Sequence, residues 1–329
     1  MKAMLRHTYG SPDILELVEI ETPTPKAGEV LVRIQATSIN AADWRMLRAD
    51  PFLARLDSGL ITPRNKILGT DVAGQVAAVG KGAGRFQVGD AVFGSLFELR
   101  GGAFAEYVAV PEHLLLHKPA NLSFEEAAAV PMAGVTALWG LQSRGPLGPG
   151  RHVLINGASG GVGTFAVQLA RALGAEVTAV VSPRNLEQAR ALGADHVLDY
   201  TTVDLAQTRA RYDLILAVNG YQPIGAYQRA LCPGGHYVMI GGSARQMFQA
   251  MLLGPLLSRK GGSQLGLLQT RLSVDDLAVV KRHLEAGSVR PVIDRVFPFD
   301  AIPDALRYVE AGHARAKVVI AIGADSPSR

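Results

Sequence analysis

Residues 155–163 read INGASGGVG and lie between two apolar runs, RHVL before and TFAVQLARALGAEVTAVV after. Glycine gives up more backbone freedom on folding than any other residue, so the glycines clustered from 157 to 163 answer a need for bare backbone. Within the stretch, Ala158, Ser159, Gly160, Gly161, Val162 and Gly163 form A-x-G-x-x-G, a one-residue departure from the G-x-G-x-x-G turn of dinucleotide-binding sheets. Such a turn lets a pyrophosphate approach the main chain, and the following helix aims its N–H groups and positive dipole end at it. An apolar strand precedes the turn, an amphipathic helix follows, and a second strand, EVTAVV, comes at the expected distance. A glycine turn that only permits tight packing is the competing reading, and this context favours the cofactor.

The end of that second strand bears on which dinucleotide binds. An acidic residue there would accept hydrogen bonds from a ribose 2′-hydroxyl and favour NAD. This chain has Ser182, Pro183, Arg184 and Asn185 instead. Arg184 can pair with a 2′-phosphate and Ser182 can donate another bond, which points to NADPH; an ordinary solvated loop charge is the alternative for Arg184. Tyr200, closing HVLDY, either flanks the adenosine phosphate or is a half-buried strand aromatic.

From residue 123 onward, HVLINGAS, EVTAVV, HVLDY, LILAV and HYVMIGG alternate with the helix-like FAVQLARAL, NLEQARAL and AYQRAL. That alternation predicts a parallel sheet with helices on both faces. Asn219 and Gly220 after LILAV, and Gly241 and Gly242 after HYVMI, fall at carboxyl ends of strands, where open α/β sheets bind ligands. Ser123 with Glu126 three residues on predicts a capped helix start. The first 120 residues instead hold short β-type runs broken by Gly, Pro and Asp, the texture of a strongly bent all-β unit, with an irregular excursion over 48–66. After 271 two helices and two strands remain, too few for a domain, and they are expected to return to the first unit. The expected division is 1–122 and 272–329 for one domain and 123–271 for the other.

Other classes are disfavoured by composition. The net charge is only +4 and the basic residues form no run, so a nucleic-acid footprint is not expected. A single cysteine, Cys232, which reads as a turn residue before a strand, rules out an internal disulfide framework and a thiolate-rich metal site. There is no apolar run of membrane-spanning length and no apolar secretory leader, so a cytoplasmic enzyme is expected.

Beyond these separate features, the chain resembles the medium-chain dehydrogenase/reductase superfamily, and within it the zinc-free quinone oxidoreductase branch. The resemblance rests on ILGTDVAGQVAAVG, FQVGDAVFG, GGAFAEYV, AGVTALWGL, NGASGGVGTFAVQLA, LGADHVLDY and HARAKVVI, in family order. It implies an α/β chain with a GroES-like β-barrel catalytic domain and a Rossmann doubly wound parallel sheet domain, and an active site in the cleft between them. It also implies a homodimer, paired in part through a sheet edge near residues 264–270.

The zinc-binding members of the superfamily carry a Cys early in the barrel and a Gly-His-Glu after the next strand. Here the first place falls in SINAADWRM and the second reads Gly69, Thr70, Asp71, so no metal is expected. By resemblance Asn40, Asp43 and Trp44 line the nicotinamide pocket. Asn40 would hydrogen-bond the ribose or a substrate oxygen, Asp43 would organise polar contacts or cap the next helix, and Trp44 would wall the acceptor. Thr136 would approach the nicotinamide. Without a Lewis acid, a small hydrophobic quinone or conjugated carbonyl is the expected acceptor, because its own π system spreads the incoming charge. No general acid stands out. A zinc-free NADP-dependent alcohol dehydrogenase and an NADPH-binding sensor with little turnover are the alternatives. The Met- and Leu-rich run over 244–262 reads as core or dimer-contact helix, or as a cover for the acceptor.

Overall fold

A computed structural model describes residues 1–50, 52, 55–145, 147–202, 211–219, 222–242, 264–268, 272–312 and 314–322. Gly220, His313, the 244–262 run and the polar tail lie outside the described residues. The chain divides into two units: unit 1 holds Met1–Ala133, Leu272–Lys281 and Pro291–Arg329, and unit 2 holds Gly134–Arg271 and Arg282–Arg290.

Unit 1 begins with β1 (Lys2–Leu5), β2 (Glu16–Glu19) and the long β3 (Glu29–Ile39), followed by α1 (Ala41–Arg48) and the short α2 (Arg55–Ser58). Then come β4 (Asp71–Val79), β5 (Ala91–Ser95), β6 (Tyr107–Pro111), β7 (Leu115–His117) and α3 (Phe124–Ala128). Helix α4 (Pro131–Gln142) leads into unit 2, with β8 (His152–Asn156), α5 (Gly161–Ala172), β9 (Glu176–Val181), α6 (Leu186–Ala191), β10 (His196–Asp199), β11 (Tyr212–Ala217), α7 (Ile224–Ala230), β12 (Leu231–Met239) and β13 (Gln264–Leu267). The chain continues through α8 (Val274–Glu285), β14 (Ile293–Pro298), α9 (Ile302–Glu310) and β15 (Lys317–Ala321).

In unit 1 the main sheet runs β14-β15-β3-β4-β5-β7, with β6 also on β3. Register shifts in the β3–β4 pair, at Leu31/Val32 and Ile34/Ala36, are the irregularities that bend a sheet. Its interior is made by Val30, Val32, Ile34, Val72, Val76 and Val92. As expected, the C-terminal strand returns here: β15 pairs antiparallel with β3, Val318 opposite Ile39.

In unit 2 six parallel strands run in the order β10-β9-β8-β11-β12-β13. Renumbered from the first strand of the unit this is 3-2-1-4-5-6, the doubly wound order, with its switch point between β8 and β11. Tyr212, Ile215, Tyr227 and Tyr237 fill one side of the sheet.

Three expectations are corrected. The capping box at Ser123 forms, with Glu126 N–H donating to Ser123 Oγ at 3.1 Å, but the helix it starts lies against β3, β4 and β15. The boundary therefore falls after Ala133, not at 122/123, because this helix buries its apolar face on the first unit. Residues 282–290 go the other way: Gln168 of α5 accepts from Arg290 N–H at 2.9 Å and donates to its carbonyl at 3.0 Å. Cys232 stands in β12 itself, half-buried.

Candidate functional site

The glycine turn sits where the strand order reverses. Gly157 has φ +85°, and a Cβ on it would lie 2.7 Å from the Asn219 nitrogen beyond β11. A Cβ on Gly163 would fall on the Gly157 carbonyl oxygen. Gly160 is the cap residue, extended, and α5 starts at Gly161, so the N–H groups of Gly161, Val162 and Gly163 have no intrahelical acceptor. The tight turn is thus made by Gly157, one residue ahead of where the A-x-G-x-x-G pattern begins. Ala158 is buried, and its N–H, like that of Gly157, donates to Val180 O. This cradle of bare backbone and unused N–H groups fits a dinucleotide pyrophosphate.

The neighbouring strand ends converge on it. Val218 and Asn219 N–H groups both donate to Asn156 O, at 2.9 and 3.2 Å, and Gly241 N–H donates to Ala217 O at 3.3 Å. A Cβ on Gly241 would lie 2.7 Å from Val218 O, while Gly242 has φ +134°. Thr136 is buried on α4, one turn before Gly140, whose own added Cβ would meet Ile240 and Leu216. On the other side, Tyr200 N–H donates to Val181 O at 3.1 Å, which brings Tyr200 beside the Ser182 turn with its side chain exposed. Ser182 and Ser159 are joined by a residue the sequence reading passed over. Asn185 Nδ2 donates to Ser159 Oγ at 2.9 Å and to Ser182 Oγ at 3.0 Å. The only sequence signal for it is a small polar residue in the turn after the second strand.

Unit 1 holds a second polar centre. Asn40 caps α1, and its N–H donates to Asp43 Oδ2 at 2.7 Å. Asp43 is wholly buried. Burial pushes its carboxyl up to about 7, helped by the charge of Asp71 and opposed by the Asn40 N–H, Lys317 and the Gly69 N–H. Asp71, also wholly buried, accepts from Ser38 Oγ at 2.7 Å, Asn40 Nδ2 at 2.8 Å and Met132 N–H at 2.9 Å. The Lys317 ammonium stands 3.5 Å from Asp71 Oδ2 and donates to Asn40 Oδ1 at 2.6 Å. Burial lowers the Lys317 pKa, against the pull of both aspartates.

Asn40 is a member of this cluster. Its two amide hydrogens go to Asp71 and, at 3.2 Å, to Thr70 Oγ1, and its oxygen takes the lysine. Trp44, half-buried, lies against the apolar group around Leu47 and Leu306, with the Arg45 guanidinium 5.1 Å from its ring. Sequence reading quoted the segments of Asp71 and Lys317 without seeing that they pair. Among the described residues no group of three or more His, Cys, Asp or Glu is arranged to hold a metal ion, and no helix is long and apolar enough to cross a membrane.

Residues 26–120 match the alcohol dehydrogenase GroES-like domain, and residues 192–320 match a family described as zinc-binding dehydrogenase. A chloroplast envelope quinone oxidoreductase homolog of Arabidopsis thaliana is 34% identical, over 97% of this chain and 98% of its own. The chain belongs to the medium-chain dehydrogenase/reductase superfamily, in its quinone oxidoreductase branch. This medium-chain reductase is also 34% identical to an NADPH-dependent alkenal/one oxidoreductase of the same plant, over 97% of this chain and 79% of that one. The quinone oxidoreductase structure from Coxiella burnetii superposes with a TM-score of 0.85 at 28% identity, covering 98% of this chain and 99% of that one. The class is oxidoreductase, working with a nicotinamide cofactor.

Proposed function

We propose that this reductase transfers hydride from NADPH to a quinone or an α,β-unsaturated carbonyl, without zinc, as a cytoplasmic homodimer. The observation that carries the reading is the turn after β9: at the place of a ribose-binding acid it has Ser182 and Arg184, beside the bare glycine turn of β8. The names of the relatives support the acceptor class, since quinones, alkenals and 2-methylene-furan-3-one, the substrate named for a tomato relative 35% identical to this chain, all contain conjugated carbonyls.

The nicotinamide supplies the hydride when bound. The chain's part is to hold and orient. Gly157 and Gly163 leave room for the pyrophosphate, the first N–H groups of α5 receive it, and Arg184 with Ser182 takes the 2′-phosphate. Asn219, Gly241 and Gly242 border the cofactor at the strand ends, Thr136 bears on the nicotinamide and Trp44 walls the acceptor. Zinc independence is supported by donor chemistry. At the places where zinc relatives have ligands, the carboxylates of Asp43 and Asp71 are engaged by Asn40, Ser38 and Lys317. Charge developing on the acceptor oxygen is carried by its own conjugation, so hydrogen bonding and solvent protonation suffice.

The test is NADPH consumption by purified protein with small quinones and enones, chelator present, with NADH and an Arg184→Ala variant alongside. Turnover that survives chelation and drops about tenfold or more with NADPH alone in the variant is expected. Alcohol-dependent NADP reduction that chelation abolishes would overturn it.

A further inference from the structure

Beneath the Ser159 and Ser182 hydroxyls lies one amide, Asn185, only 4% exposed. Its Nδ2 carries two hydrogens and spends both, one on each serine oxygen. A nitrogen that donates twice cannot accept, so neither hydroxyl hydrogen points back at the amide. Both are directed elsewhere. Asn185 Oδ1, meanwhile, is buried and has no partner among the described residues. Turning the amide over would satisfy that oxygen but strand two N–H hydrogens, and buried orphan N–H groups are rarer than under-satisfied carbonyls. The arrangement leaves one acceptor unused and presents two hydroxyl donors, Ser159 on the glycine turn after β8 and Ser182 on the turn after β9 that also carries Arg184.

We propose that Asn185 is a positioning residue for cofactor choice: it holds Ser159 and Ser182 as donors toward the 2′-phosphate of an adenosine nucleotide. The proposal rests on the NADPH reading above. A 2′-phosphate offers several anionic acceptors, enough to take both serine hydrogens and to pair with the Arg184 charge, whereas a 2′-hydroxyl is a single neutral oxygen that gives those donors less to bind. Asn185→Asp keeps the shape and reverses the polarity, because a carboxylate accepts both hydroxyl hydrogens and adds negative charge.

Affinity is to be measured calorimetrically on the full chain with 2′,5′-ADP and 5′-AMP as probes, which needs no turnover. Wild type is expected to prefer 2′,5′-ADP. Asn185→Asp should lose about tenfold or more for 2′,5′-ADP while 5′-AMP stays within about twofold. Asn185→Ala, without the added charge, should lose less, in the same direction. The Asn185→Asp penalty should shrink in a Ser159→Ala/Ser182→Ala background, the coupling a positioning role requires. Equal loss for both probes, or no loss, overturns the proposal. If Arg184→Ala loses phosphate preference while both Asn185 variants keep it, the NADPH reading survives and this inference falls. If wild type itself shows no preference, both fall. Should Asn185→Asp fail to fold, Asn185→Ala carries the same test.

Discussion

Burial and helix capping make opposite demands on Asp43. Its carboxylate receives the Asn40 N–H at the start of α1, yet it has no exposure and its pKa is pushed up to about 7. An unfolded aspartate titrates near 3.9. Between about 4 and 7 Asp43 therefore holds more proton in the native state than in the unfolded state, so its contribution to stability falls as pH rises through that window and levels off above it. An amide in place of this carboxyl would keep an oxygen for the Asn40 N–H and remove the charge. The Asp43→Asn variant is expected to match wild type near pH 4 and to exceed it by roughly 1–4 kcal/mol at pH 8. Urea midpoints of both proteins at the two values check this, and a wild-type curve that rises from pH 4 to 8 while the variant stays flat would refute it.

At the level of elements, the contact between α5 and β8 depends on Gly163. Its missing Cβ is the space that the Gly157 carbonyl occupies, so Gly163→Ala should cost about 2–3 kcal/mol and weaken nucleotide binding. Gly84→Ala is the control: an added Cβ there meets nothing within 4 Å and φ is ordinary, so the change should stay within about 0.5 kcal/mol. Chemical denaturation of the two variants separates close approach from glycine content as such. This turn was readable in the sequence because all its parts lie within ten residues and each has a local reason. The alternation of strands and helices was readable for the same cause. The place of α3 was not: its cap is local, but the strands that cover it come from 29–39, 71–79 and 317–321. Nor was the Asp71–Lys317 pair, since nothing near either residue points to the other. Asn185 was hidden differently, as a short amide that looks like any turn residue until its partners are known.

For the molecule as a whole, the decisive fact is that unit 1 is assembled from distant parts of the chain. Strand β15 lies between β14 and β3, and Lys317 is the cation beside Asp71. A chain ended at residue 316 should lose both, leaving Asp71 buried beside Asp43 without its counter-charge. Removing one partner of a buried pair costs about 3–5 kcal/mol, and the lost strand adds to that. Unit 1 is expected not to fold, with protease cleavage in 1–133 as the readout; a truncated chain as resistant there as wild type would contradict this. The milder Lys317→Met should retain the strand and lose about 3 kcal/mol.

The pairing of β15 with β3 also governs the order in which a newborn chain becomes ordered. A ribosome delivers residues in sequence, and domains ordinarily take shape from the N-terminus as they emerge. Here β3 has been made long before its partner exists, and every strand of the six-stranded sheet is synthesised in the interval. The second unit is thus complete while the earlier one still waits for an edge, with its apolar β3 unpaired on one side and Asp71 without the Lys317 charge. Growing chains of this protein should depend on holding chaperones at their N-terminal third, and a circular permutant that joins the two parts of unit 1 in sequence should not.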